Sequence, residues 1–227
     1  VRTQKENTQK TLKSSKEWFP DIPSYQLPSD DALKLNKADW KVDKRKSALL
    51  VHDMQNFWVE RFVDPSFVVD AIAQVVEVCR ANHIPVIYSV GEKARSLAER
   101  GLSLDLWGPG IAATKDVTKA DPEIVAALAP QPEDYIVNKT KYSAFFKTDL
   151  EHILQRTGRN QLLITGIFAH HGCMATTLDA FMRNIETFFV ADALGDYSLE
   201  EHMMAINYVA ETSGIIATVD SIKNALK

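Results

Sequence analysis

Asp53, Lys139 and the small-residue turn at Gly172 and Cys173 are the groups of this sequence best suited to share one reaction. A carboxyl group can give or take a proton, and an ammonium can hold an anion. A helix that starts on a small residue exposes backbone N–H groups to negative charge. Each of these groups follows a short apolar run. SALLV precedes His52 and Asp53, and YIVN precedes Lys139, Lys141 and Tyr142. QLLIT precedes His170, His171, Gly172 and Cys173, and Asp192 follows Phe188–Ala191. Taken singly, each has a bland reading. An Asp after a strand is often a cap, and a Lys there is usually solvated. Asp192 reads as structural. His170 and His171 lack metal-ligand spacing and read as satisfied structural residues. The joint pattern is stronger than any member, but spacing alone names no reaction.

Such residues need a scaffold that gathers strand ends. Apolar runs at Ser47–Val51, Pro85–Val90, Tyr135–Asn138, Gln161–Thr165, Phe188–Ala191 and Ile215–Val219 predict six buried strands. Helical spacing predicts helices over Pro65–Asn82, Asp149–Thr157, Gly172–Asn184 and Ser198–Thr212, with a short terminal one. Asp121-Pro122 predicts a helix through Leu128, and residues 91–120 a long irregular loop. Strands alternating with helices predict an α/β fold: a doubly wound, mostly parallel six-stranded sheet with helices on both faces. In such sheets ligands bind outside the carboxyl ends of the strands, where these polar residues fall.

Three segments are expected. Residues 1–17 are a polar tail, 18–46 an arm with Pro20, Pro23 and Pro28 among Trp18, Phe19, Tyr25 and Trp40, and 47–227 the catalytic domain. The arm is expected to pack against the body or a second subunit. Of 227 residues, 45% are hydrophobic and 25% charged, ordinary for a globular protein. The net charge of −4 hides an asymmetry: residues 1–46 hold 11 Lys/Arg against 7 Asp/Glu. Those charges are mixed rather than blocked, which argues against nucleic acid. Two isolated cysteines, Cys79 and Cys173, make no disulfide framework and no zinc site. They point to a reducing, cytoplasmic setting. No signal-peptide pattern or membrane-length apolar run is present, so no membrane partner is expected.

The segments LLVHDMQNFW, GLSLDLWGPG, KTKYSAFFKTDL, GRNQLLITGIFAHHGCMATTLDAF and FFVADALGDYS resemble the isochorismatase family, in its siderophore and phenazine branch. The likeness runs from about Trp18 to the C-terminus and includes the arm segment IPSYQLPSDDALKLNKADW. It implies hydrolysis of an enol-pyruvyl (vinyl ether) group on a cyclohexadiene carboxylate, namely isochorismate or 2-amino-2-deoxyisochorismate. Asp53 matches the family's general acid and Lys139 its active-site lysine. To donate at neutral pH, Asp53 needs burial that keeps its proton on. Lys139 is expected mainly to hold substrate oxygens. Arg100 matches an arginine that grips a substrate carboxylate. Gly172, Phe168, Tyr142, Gly91, Gln55 and Phe57 are the other substrate-contacting positions that the resemblance implies. It also implies a cis peptide at Ile167–Phe168, a homodimer or larger homo-oligomer, a carrier protein acting in trans, and neither cofactor nor metal.

Cysteine hydrolases of the wider superfamily place their nucleophile where Gly172 stands. Cys173 falls one residue later, and one helical step turns a side chain by about 100°. Cys173 is therefore expected to point away as a small buried hydrophobe. The sequence departs from the branch at four pocket positions: Gly91 for a glutamine, Thr140 for a tryptophan, Lys141 for an arginine and Phe168 for a tyrosine. Two alternatives stand beside the ether hydrolase: an amidohydrolase that uses Cys173, and a silent scaffold. Asp220-Ser221-Ile222 mimics a phosphopantetheine attachment motif, but six residues after Ser221 leave no room for a carrier bundle, so it reads as a helix cap.

Overall fold

A computed structural model describes residues 21–108, 110–111 and 122–227. The polar tail, Trp18, Phe19, Pro20 and Asp121 lie outside the described residues. Six strands form one sheet: β1 (Ser47–His52), β2 (Val86–Gly91), β3 (Tyr135–Lys139), β4 (Gln161–Ile167), β5 (Glu186–Gly195) and β6 (Ile215–Ala217). Their order is β3-β2-β1-β4-β5-β6, and every neighbouring pair is parallel. The winding reverses between β1 and β4, which opens a crevice at their carboxyl ends.

Alternation along the strands sorts the core into two layers. Leu49, Val51, Val86, Tyr88, Leu163, Phe188 and Val190 face α1 (Ser66–Ala81) and the C-terminal helix. Ala48, Leu50, Ile87, Leu162, Ile164 and Phe189 face the helices of the other side. Those are Leu150–Arg156, Met174–Phe181 and Leu199–Thr212. Successive side chains of a strand point to opposite faces, so a strand buried on both sides reads as an unbroken apolar run. β1 is buried at all six positions.

Several expected boundaries shift; β5 starts at Glu186 and runs on to Gly195, so Asp192 lies within the strand instead of after it. The proposed helix from Asp121 through Leu128 is only a short 3-10 turn, Ala126–Leu128. Its leading residues pair with the segment after β1 instead: Asn56 N–H donates to Glu123 O at 2.8 Å and Val125 N–H to Met54 O at 3.0 Å. Residues 91–120 are not wholly irregular, because α2 (Leu102–Trp107) forms between Gly101 and Gly108, both left-handed. The helix expected from Gly172 starts at Met174, after a π-helical turn over Ala169–Cys173. Strand six ends at Ala217, and the last helix, Val219–Ala225, begins with Thr218 capping Ser221 N–H. Ser221 returns the bond from its own hydroxyl side, so it closes a capping box. Asp192 is structural too, accepting from Val219 N–H at 2.8 Å.

The described part of the arm packs on its own body. Ile22 bridges to Phe62, and its N–H donates to Arg61 O at 2.7 Å. The Asn36 carboxamide pairs with the Ile216 backbone in both directions, at 2.6 and 2.8 Å. That pairing satisfies groups on β6, an edge strand. No helix among the described residues is long and apolar enough to cross a membrane.

Candidate active site

The carboxyl ends of β1, β2 and β3 and the turn after β4 surround a cavity of about 500 Å3. Asp53, Lys139, Arg100, Gly91, Tyr142, Phe168 and Gly172 all line it. β1 delivers Asp53 and β3 delivers Lys139, with β2 between the two strands. The Asp53 N–H donates to Ser89 O on β2 at 2.9 Å. Asp53 has a φ of 52°, a left-handed conformation that non-glycine residues rarely hold and that gathers at active sites.

The acid and the base touch. Lys139 Nζ lies 2.7 Å from Asp53 Oδ2 and donates to Lys141 O at 3.1 Å. The Lys139 side chain is 6% exposed and that of Asp53 17%. Asp53 Oδ1 is buried and has no hydrogen-bond partner among the described residues. The ammonium is bound to the Asp53 carboxylate, since an unpaired buried charge is costly.

The turn after β4 forms the facing wall. Gly166 has a φ of 116°, and a Cβ there would stand 2.1 Å from the His52 carbonyl oxygen, so only glycine permits β4 to approach β1 here. The Ile167–Phe168 peptide is cis. Asp196, fully buried, holds the turn: it accepts from His170 N–H at 2.7 Å, His170 Nδ1 at 2.6 Å and Tyr197 N–H at 2.9 Å. The Asp196 N–H in turn donates to the Tyr25 hydroxyl at 2.7 Å, which ties the arm to this turn. Cys173 is fully buried, belongs to the same apolar cluster as Leu50, Ile164 and Ala180, and does not line the cavity. Burial holds its thiol well above the usual range.

Two expected contacts stand behind the wall instead of on it. Gln55 is buried, and both ends of its carboxamide are taken. Oε1 accepts from Gly91 N–H at 2.8 Å, while Nε2 donates to Pro122 O at 2.8 Å and Gly91 O at 3.2 Å. It braces the end of β2. Phe57 is buried beside Ile111 and Trp58. Among the lining residues that the sequence reading did not assign to the site are four aromatic ones: Trp58, Trp107, His171 and Tyr197. His171 stacks on Tyr142 with ring centroids 5.5 Å apart and meets Trp107 at 5.0 Å. Trp107 Nε1 donates to the Tyr142 hydroxyl at 2.6 Å. Its place in a long Trp-Gly-Pro-Gly loop was the available signal for Trp107. His171 carried none beyond adjacency to Gly172.

Arg100 brings charge to the cavity from the loop after β2. Its Nε donates to Gly108 O at 3.3 Å, and it has no carboxylate partner among the described residues. Burial lowers the pKa of this guanidinium. A half-buried cation without an anion is suited to a substrate carboxylate.

Three histidines near the site are held neutral. Burial is the chief cause in each case and pulls His52, His171 and His202 down to about 4, from an ordinary value of 6.5. The unfolded chain binds more protons across that window, so stability is full above about pH 6.5 and is lost as pH falls toward 4. The urea midpoint should therefore drop between about pH 6.5 and about pH 4.5. A midpoint constant over that span would show that these rings are not buried as neutral groups.

Residues 47–221 match the isochorismatase domain. The chain is 41% identical over 208 residues to enterobactin synthase component B of Escherichia coli (strain K12), covering 90% of this chain and 72% of that protein. It is 38% identical over 206 residues to the phenazine biosynthesis protein PhzD of Pseudomonas fluorescens, covering 90% and 98%. Isochorismatase of Bacillus subtilis (strain 168) is 37% identical over 213 residues, covering 92% and 67%. In fold, the chain matches the crystal structure of a cysteine hydrolase from Pseudomonas syringae pv. phaseolicola 1448A, with a TM-score of 0.76 at 22% identity over 89% of this chain and 98% of that one. The domain match and these relatives place the chain in the isochorismatase family.

Proposed function

We propose that this chain hydrolyses the enol-pyruvyl ether of isochorismate or its 2-amino-2-deoxy analogue. The products are pyruvate and a dihydro-hydroxybenzoate or dihydro-hydroxyanthranilate. One observation carries the reading: buried Lys139 paired with partly buried Asp53 opens onto a cavity whose neighbouring turn offers Gly172, while Cys173 is fully buried and off the cavity lining.

The chemistry follows from those positions. A substrate with two carboxylates enters a cavity lined by Lys93, Arg95, Arg100, Lys139 and Lys141. Its carboxylates compete with Asp53 for Lys139. As general acid, Asp53 would hold the proton on Oδ1, the oxygen without a hydrogen-bond partner among the described residues. Asp53 gives it to the terminal methylene carbon of the vinyl ether. The double bond's electrons form the new C–H bond, and the adjacent carbon becomes an oxocarbenium ion. Water adds to that carbon and returns one proton to Asp53. The hemiketal then breaks the bond between that carbon and the ring oxygen: its hydroxyl gives up a proton and becomes the ketone of pyruvate, and the ring oxygen takes a proton to leave as the alcohol. No bond to the protein forms, so only a placed acid is required. Arg100 and Lys141 fit the carboxylates, and the aromatic group of Trp107, Tyr142, Phe168 and His171 fits the ring.

The test is incubation with isochorismate, with pyruvate coupled to a reporter enzyme. Pyruvate release supports the reading, and its absence with both substrates overturns it. Cys173→Ala and thiol-alkylating reagents should each leave kcat within about twofold, because a core cysteine acts as a small hydrophobe. Loss of turnover on alkylation at Cys173 would favour the amidohydrolase instead.

A further inference from the structure

Gly172 lies on the cavity wall, yet no side chain can project from it. A Cβ there would stand 2.2 Å from His52 Cε1, 2.8 Å from Nε2 and 3.1 Å from Nδ1. The backbone is not the obstacle, since Gly172 is absent from the left-handed glycines of the chain. The obstacle is the imidazole, and it cannot step aside. His52 is fully buried. Its Nδ1 lies 3.1 Å from Ile167 O and its Nε2 3.2 Å from Tyr142 O. Those carbonyls belong to the two segments that build the site, the end of β4 and the loop after Lys139. Nδ1 is also 3.5 Å from Asp53 Oδ2. A ring wedged among close-packed atoms on every side yields little to an added methyl group.

We propose that His52 is a positioning and specificity-determining residue, whose ring takes the volume that any side chain at position 172 would need. The turn beside Asp53 and Lys139 therefore presents backbone only, and attack is left to water. The naming of that reaction rests on the vinyl ether reading, but the steric relation does not.

The relation predicts a reciprocal pair. Gly172→Ala alone should unfold the turn or push His52 aside, with a large fall in thermal midpoint and in pyruvate release. In the His52→Ala background the same methyl group enters vacated space. Its cost should shrink by about tenfold or more in the folding equilibrium, as coupled neighbours do. Should His52→Ala yield no folded protein, His52→Asn serves, because it frees part of the ring volume and keeps one donor for a carbonyl. A second readout is chemical. The thiol introduced by Gly172→Cys should be alkylated by iodoacetamide in the folded His52→Ala/Gly172→Cys protein, and mass spectrometry locates the adduct. Equal cost of Gly172→Ala in both backgrounds, or a thiol that stays unreactive in the folded double variant, would overturn the proposal. Neither readout needs substrate, so a failed pyruvate assay and a failed His52–Gly172 coupling are separate results.

Discussion

Asp53→Asn is expected to lower pyruvate release by about 10²–10⁴-fold, the range that a positioned general acid supplies. Asparagine is the informative replacement. It keeps the size of the side chain and one oxygen for Lys139, but it has no proton to give to carbon. It also tolerates the φ of 52° at this position, where alanine would add strain. The loss should fall on kcat, because protonation belongs to the transition state while the carboxylate contacts do not pass through Asp53. Saturation kinetics with the coupled assay, together with the thermal midpoint, check both points. Turnover within tenfold of the unaltered chain, in a folded protein, would falsify the role given to Asp53.

Lys139→Met is expected to separate two contributions of one ammonium. The lysine side chain is 6% exposed and lies 2.7 Å from Asp53 Oδ2. Breaking a buried pair from one side leaves a charge unpaired and costs roughly 3–5 kcal/mol. Asp53 is somewhat more exposed than its partner, so the lower end of that range applies. The urea midpoint should fall accordingly at neutral pH. The second contribution is substrate binding. A hydrogen bond to a charged group is worth about 1.5–3 kcal/mol, so KM should rise by about 10–100-fold. A variant that loses stability but keeps its KM would confine Lys139 to the ion pair and remove it from substrate binding.

The position of sulfur separates the ether hydrolase from the amidohydrolase reading. Cys173 and Gly172 are adjacent, but one lies in the apolar layer below the turn and the other on the cavity wall. The π-helical turn over Ala169–Cys173 sets that difference, since each residue of a helix faces a new direction. A register error of one residue would exchange the two and change the chemistry expected.

Much of this arrangement was legible in the amino-acid sequence. β1, β2 and β4 are apolar because both faces of a central parallel strand are covered, so their ends could be placed from composition alone. Asp53, Lys139 and the turn at Gly172 follow those ends, and parallel strands deliver their ends to one side of the sheet. Local periodicity therefore determined the fold class and placed three candidate groups at one end of the sheet. What it could not supply were contacts between residues distant in the chain. The Lys139–Asp53 pair, the use of Gln55 as a brace behind Gly91, the Tyr25–Asp196 link and the wedging of His52 against Gly172 each join segments that meet only after folding. The helix expected before Leu128 failed for the same reason, because Glu123 and Val125 satisfy their backbone groups on residues near β1. Short-range pattern reports what a segment prefers, and only the folded chain decides which distant group competes for its hydrogen bonds or occupies its space.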